Sequence, residues 1–99
     1  MTERGTPRLV FLDGIVVEAP LEGTMIVTCN TDKPGVIGRV GTILGRHDVN
    51  IATFALGRDG DRAVAVAIVD EPEDKPVPDV VVDELREVNA IREARIVRV

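Results

Sequence analysis

TMIVTCNTDKPGVIGRVGTILGRH, residues 24–47, decides the fold. In TMIVTCN (24–30), Met25, Val27 and Cys29 alternate with Ile26, Thr28 and Asn30, the period of a strand with two distinct faces. Pro34-Gly35 ends that run, and Pro34 suits the first position of a helix because its missing N–H is not needed there. From Val36 to His47 the apolar residues Val36, Ile37, Val40, Ile43 and Leu44 recur at helical spacing. Gly38, Gly41 and Gly45 share one face of that helix, each costing about 1 kcal/mol relative to alanine. The stripe either admits a second backbone at close range or marks a weak helix.

Working outward, RLVFLDGIVVEA (8–19) carries a hairpin signal, with Asp13-Gly14 fitting a type I′ turn between apolar strands. PLEG (20–23) then punctuates the chain. Downstream, VNIATFAL (49–56) and RAVAVAIVD (62–70) flank GRDGD, which predicts a hairpin with a five-residue connection. In the second of these strands Val64, Val66 and Ile68 share one face, and Ala63, Ala65, Ala67 and Val69 the other. Both faces are apolar, so both need cover. EPEDKPVPD (71–79) is an acidic, proline-broken loop. Val81, Leu85 and Val88 then mark a second helix, with Pro78 and Asp79 suited to its start. AIREARIVRV (90–99) closes the chain in extended form.

Beyond the first hairpin the order is β-α-β-β-α-β. This predicts an α+β, ferredoxin-like fold: an antiparallel four-stranded sheet with two helices on one face. The other face is left open, and the small alanine row is expected to lie there against a close neighbour. The N-terminal hairpin is expected to be the tail of a preceding domain or a strand covering the open face. The expected division is 1–23 as hairpin and linker and 24–99 as the domain proper.

Composition narrows the class. A chain of 99 residues makes one domain with a thin core. The only aromatic residues are Phe11 and Phe54, so that core is aliphatic and association with another chain or domain is expected. The net charge of −5 argues against nucleic acid, which calls for a basic face. A single cysteine, Cys29, excludes an intrachain disulfide and fits a reducing compartment. No apolar run reaches the roughly 18 residues of a membrane span, and MTERGTPR (1–8) has no signal-peptide core. A soluble, cytoplasmic protein is expected.

The loop NTDKPG (30–35) carries the chemistry. Asp32 stands either as the N-cap of the helix beginning at Pro34 or as the counter-charge of an ammonium. The first-turn N–H groups of Val36 and Ile37 would meet a carboxylate. Asn30 and Asp32, two apart on extended backbone, offer an amide oxygen and a carboxylate to an ammonium. A carboxylate site beside an ammonium site is a site for a free amino acid. His47 is expected to favour a helix C-terminus through the dipole. No second His or Cys stands at metal-ligand spacing, so Cys29 is read as a strand residue, and neither metal nor cofactor is expected. Arg58, Asp59, Asp61 and Arg62 read as a solvated hairpin loop. Arg92, Arg95 and Arg98 are candidates to pair with the acidic loop, although surface pairs contribute little.

NTDKPGVIGRVGTILGRHDVNIATFALGR (30–58), preceded by GIVVEAPLEG (14–23), resembles the ACT domains of D-3-phosphoglycerate dehydrogenases. The resemblance runs from about Leu9 to Val99. It implies the βαββαβ fold, no catalysis by this chain itself, and two copies paired edge to edge into an eight-stranded sheet. It further implies L-serine as a feedback ligand at the seam, held by Asn30 and Asp32 of one copy and Asn50 of the other. Backbone N–H groups near Val36 and Ile37 would take its carboxylate. Some family members have a histidine and an asparagine where this chain has Asn30 and Asp32. Here Asn30 carries no charge, and Asp32 pairs more strongly with an ammonium. The partners implied are L-serine or a related small amino acid, a second copy, and catalytic dehydrogenase domains.

Other functions share the fold. RNA-recognition domains stack bases on sheet aromatics, where this chain has Val and Ala. Metal chaperones of this fold carry paired cysteines in the first loop, where TCNTDK has one. Acylphosphatase-like enzymes cradle an anion at the same helix start, weakly echoed by Lys33 and Asn50, but Asp32 would repel a phosphate. A further alternative is an ACT module that stands alone or regulates another enzyme, such as a serine dehydratase, and binds a different amino acid.

Overall fold

A computed structural model describes residues 14–19 and 23–98, together with the backbone of 8–12. The strands are β1 (Arg8–Leu12), β2 (Ile15–Ala19), β3 (Thr24–Thr31), β4 (Ile51–Asp59), β5 (Arg62–Val69) and β6 (Ile91–Arg98). The helices are α1 (Val36–Arg46) and α2 (Asp79–Arg86). β3 to β6 form one antiparallel sheet in the order β4-β5-β3-β6, the ferredoxin-like arrangement expected. β1 and β2 form the N-terminal hairpin, with Leu12 opposite Ile15. Gly14 in its turn has φ +76°, a conformation glycine adopts at no steric cost. The Asp13 half of that turn lies outside the described residues.

Two cores sandwich the central strands. On one face Ile26 of β3 and Ala67 and Val69 of β5 pack against Val36, Val40, Ile43 and Leu44 of α1 and Val81, Val82 and Leu85 of α2. On the other, Met25, Val27 and Cys29 with Val64, Val66 and Ile68 pack against Ile15, Val17 and Ala19 of β2. The hairpin therefore covers the sheet face that the helices leave open. Cys29 is a buried strand residue.

Two expectations need correction. The alanine row of β5 lies under the helices, because α1 rests on that face and small side chains let it settle, whereas the larger Val64, Val66 and Ile68 meet the hairpin. The β4–β5 connection is two residues, Gly60-Asp61, since the ladder continues through Arg58↔Ala63 and Asp59↔Arg62. Gly60, with φ +66°, makes so tight a turn possible.

Within this chain the close backbone approach occurs on the sheet, at Gly57. A Cβ placed on Gly57 would lie 2.6 Å from the Val16 carbonyl oxygen and 2.8 Å from Val17 Cγ2. At Gly38, Gly41 and Gly45 a Cβ would meet nothing within 4 Å in this chain. The two kinds of glycine thus predict opposite outcomes. Gly57→Ala must push the β2 backbone away and destabilise the domain by about 1–3 kcal/mol. Gly41→Ala should stabilise it by about 0.5–1 kcal/mol through helix propensity. Thermal unfolding of the two variants checks both signs.

Candidate functional site

The turn from β3 into α1 positions the first half of the site. Asn30 and Arg58 both face Ala63 across their respective ladders. The three residues form one cross-strand row on the helix side of the sheet, and the small Ala63 leaves room above it. Arg58 accordingly reaches the end of β3, where its Nε lies 3.3 Å from Asp32 Oδ2. Asp32 is also anchored by its backbone, whose N–H donates to the Asp61 carbonyl at 2.7 Å. Asn30 is 2% exposed. Its Nδ2 donates to the Thr31 carbonyl at 3.0 Å, while its buried Oδ1 accepts no hydrogen bond among the described residues.

Helix α1 starts at Val36 rather than Pro34, with Gly35 as N-cap at φ +89°. No side chain caps it and its first turn holds no acidic residue. This overturns the capping reading of Asp32: the left-handed turn at Gly35 puts the N-cap three residues beyond Asp32, whose carboxylate goes to Arg58 instead. The Val36 N–H makes only a long 3.4 Å contact with the Lys33 carbonyl. Val36 is buried and Ile37 is 37% exposed. The positive end of the helix dipole therefore meets neither a capping side chain nor a first-turn acid, and such an end attracts a carboxylate. Beside this turn a crevice of about 670 Å³ is lined by Lys33, Gly35, Val36 and Arg39 on one wall and by Glu87 to Ala90 on the other.

Asn50 is not brought to this end. It precedes β4, whose nine residues carry the chain, at about 3.3 Å each, to the end of the sheet near Asp32. Asn50 instead hydrogen-bonds Asp70, Nδ2 to Oδ2 at 2.7 Å. Both line a separate cavity of about 370 Å³ with His47, Asp48, Lys75 and the prolines of loop 71–78. Within one chain the expected residues thus fall into two groups: Asn30, Asp32, Val36 and Ile37 at one end of the sheet, and Asn50 at the other.

Sequence reasoning missed Arg58 and Asp70. The sequence places Arg58 in a solvated loop, but a two-residue turn at Gly60-Asp61 puts it in β4 opposite Ala63. A register shift between Ile51 and Thr53 then pairs Ile51 with Val69 and sets Asn50 beside Asp70. The signal was available: Asp-Gly-Asp at 59–61 permits the short turn as readily as the long one.

His47 is the C-cap residue of α1, and its Nε2 donates to Glu84 of α2 at 2.9 Å. Loop 71–78 is fastened by Glu71, which accepts from Arg98 Nη2 at 2.7 Å, Thr24 Oγ1 at 2.5 Å and the Val77 N–H at 2.7 Å. The arginine–acidic-loop pairing expected from the sequence is therefore made by Arg98. These donors, Arg98 foremost, lower the Glu71 pKa from 4.5 to about 2. A carboxyl with a lowered folded pKa contributes stability that is complete above its unfolded pKa and is lost as pH falls through the folded one. Glu71→Gln should thus destabilise the domain by about 1–2 kcal/mol at pH 7. The gap should narrow as pH drops from 4.5 to about 2, which denaturant melts across that range will measure.

Comparison with known proteins accords with this geometry. Residues 24–90 match the ACT domain family. The chain is 33% identical over 101 residues, 99% of its length, to the D-3-phosphoglycerate dehydrogenase of Synechocystis. It is 37% identical over 91 residues, 88% of its length, to that of Archaeoglobus fulgidus. It spans only 17% and 16% of those two enzymes. Among solved structures, the ACT domain from the GTP pyrophosphokinase of Chlorobium tepidum superposes with a TM-score of 0.59 at 21% identity. That match covers 77% of this chain and 97% of the other, and it speaks for the fold.

Proposed function

The chain belongs to the ACT domain family, whose members are regulatory rather than catalytic modules, and on that premise we propose that it is the L-serine-sensing domain of a D-3-phosphoglycerate dehydrogenase. In this reading residues 24–99 form the sensor. Residues 1–23 are the end of the preceding part of a longer cytoplasmic enzyme, which carries the dehydrogenase chemistry. The observation that carries the proposal is the uncapped N-terminus of α1 beside Asp32 and the unpaired amide oxygen of Asn30. Serine's carboxylate would sit on the N–H groups of Val36 and Ile37. Its ammonium would sit on Asp32, sharing that carboxylate with Arg58.

Asn50 would come from a second copy. The two free sheet edges differ in a way that favours one of them. β6 carries Arg92, Glu93, Arg95 and Arg98, the charges with which proteins discourage edge pairing. β4 runs uncharged from Ile51 to Gly57, with Phe54 37% exposed. Antiparallel pairing of two β4 strands about a two-fold axis would carry Asn50 of the facing copy to the end of β4 where Arg58 and Asp32 lie. Serine then favours the closed dimer, and a coupling of about 1–3 kcal/mol is enough to shift attached catalytic domains.

Thermal shift with a panel of amino acids tests the ligand. L-Serine at 100 times its Kd should add about 2.7 kcal/mol of stability, raising Tm by several degrees while other amino acids do little. A shift produced by a different amino acid reassigns the ligand, and no shift with any removes the sensing role. In parallel, Asn50→Ala should weaken serine binding at least tenfold with the dimer intact by sedimentation. Unchanged affinity would count against the shared site.

A further inference from the structure

The hydrogen bonds around Asn50 assign a role to a residue outside the expected site: we propose that Asp70 is a positioning residue that fixes the orientation of the Asn50 amide so that its carbonyl oxygen is turned to the ligand. This inference rests on the serine-site reading above. The β4–β5 ladder ends at Ile51↔Val69, so Asn50 and Asp70 are the first residues beyond it and face each other across the sheet end. Two hydrogen bonds join them. The Asp70 N–H donates to the Asn50 backbone carbonyl at 2.9 Å, and Asn50 Nδ2 donates to Asp70 Oδ2 at 2.7 Å.

The direction of the second bond is dictated by chemistry. An ionised carboxylate has no proton to give, so it accepts only. The amide must therefore turn its nitrogen toward Asp70 and its oxygen away. The short charge-assisted contact makes the reverse orientation costly, since two oxygens would then face each other. Lys75, in the same cavity, lies 3.5 Å from Asp48. An unrestrained asparagine offers a donor and an acceptor indifferently. Held by Asp70, Asn50 keeps one of its two N–H donors engaged and its oxygen turned away from the carboxylate, so a group carrying an N–H or O–H is favoured on the oxygen side. L-Serine supplies both, in its ammonium and its hydroxyl. Asp70 thus contributes selectivity without touching the ligand.

The test is a double-mutant cycle on the full chain, with L-serine affinity followed by NMR titration, which reaches millimolar Kd values. Asp70→Ala should lose about five- to tenfold in affinity, the size of an ordinary hydrogen bond, with the dimer intact. In an Asn50→Ala background the same substitution should cost nothing further, because its effect passes through the Asn50 amide. The Asn50 side-chain NH₂ signals should also move from a bonded to a free position in Asp70→Ala. Additive losses, full wild-type affinity in Asp70→Ala, or unmoved Asn50 signals would each overturn the inference while leaving serine sensing in place. If the wild-type chain takes no L-serine, the sensing proposal falls first and the role of Asp70 falls with it.

Discussion

The architecture depends on one constraint: the two central strands are apolar on both faces. Ile26 and Ala67 look one way, Val27 and Val66 the other, and all four are buried. A four-stranded sheet with helices on one side cannot satisfy that pattern alone, so the chain lays β2 across the second face. Gly57 is what lets β2 lie flat there, with the Val16 carbonyl oxygen in the space a side chain would fill. Once both faces are covered, any association through the sheet must use its edges. The charge on β6 and its absence from β4 then bias which edge is used.

Much of this was legible in the sequence. The period-2 pattern of 24–30, the Pro34-Gly35 break and the 3.6 period of α1 and α2 act locally, so element order and type could be read directly. The hairpin was legible for the same reason. What could not be read was which apolar row of β5 met which neighbour. Val64 and Ala65 are both acceptable in a buried strand, and the choice rests on how closely α1 approaches. The length of the β4–β5 turn was likewise undecided by local chemistry, and with it the position of Arg58; the place of Asp70 beside Asn50 depends further on the register shift between Ile51 and Thr53.

The candidate site was half legible. The residue types in NTDKPG raise the expectation of a zwitterion site, but not that Asp32 leaves the helix uncapped and pairs with Arg58. That pairing changes the energetics. An exposed ion pair contributes about 0–1 kcal/mol, so an incoming ammonium competes with a weak internal cation and can share the carboxylate with it. Asn30 is the stronger commitment, because its buried oxygen has no donor among the described residues. Leaving such an atom unsatisfied costs about 1–3 kcal/mol, which a bound ligand could recover.

The separation of Asn50 from Asp32 within one chain makes the shared site the central claim, and subunit complementation tests it most directly. Asp32→Ala and Asn50→Ala should each abolish tight L-serine binding when alone. Mixed and re-associated in equal amounts, half of the two-fold dimers are hybrids, and each hybrid holds one site with both residues intact. The account predicts that the mixture regains about a quarter of the wild-type binding sites at wild-type affinity. A mixture that forms hybrids yet binds no serine would contradict it.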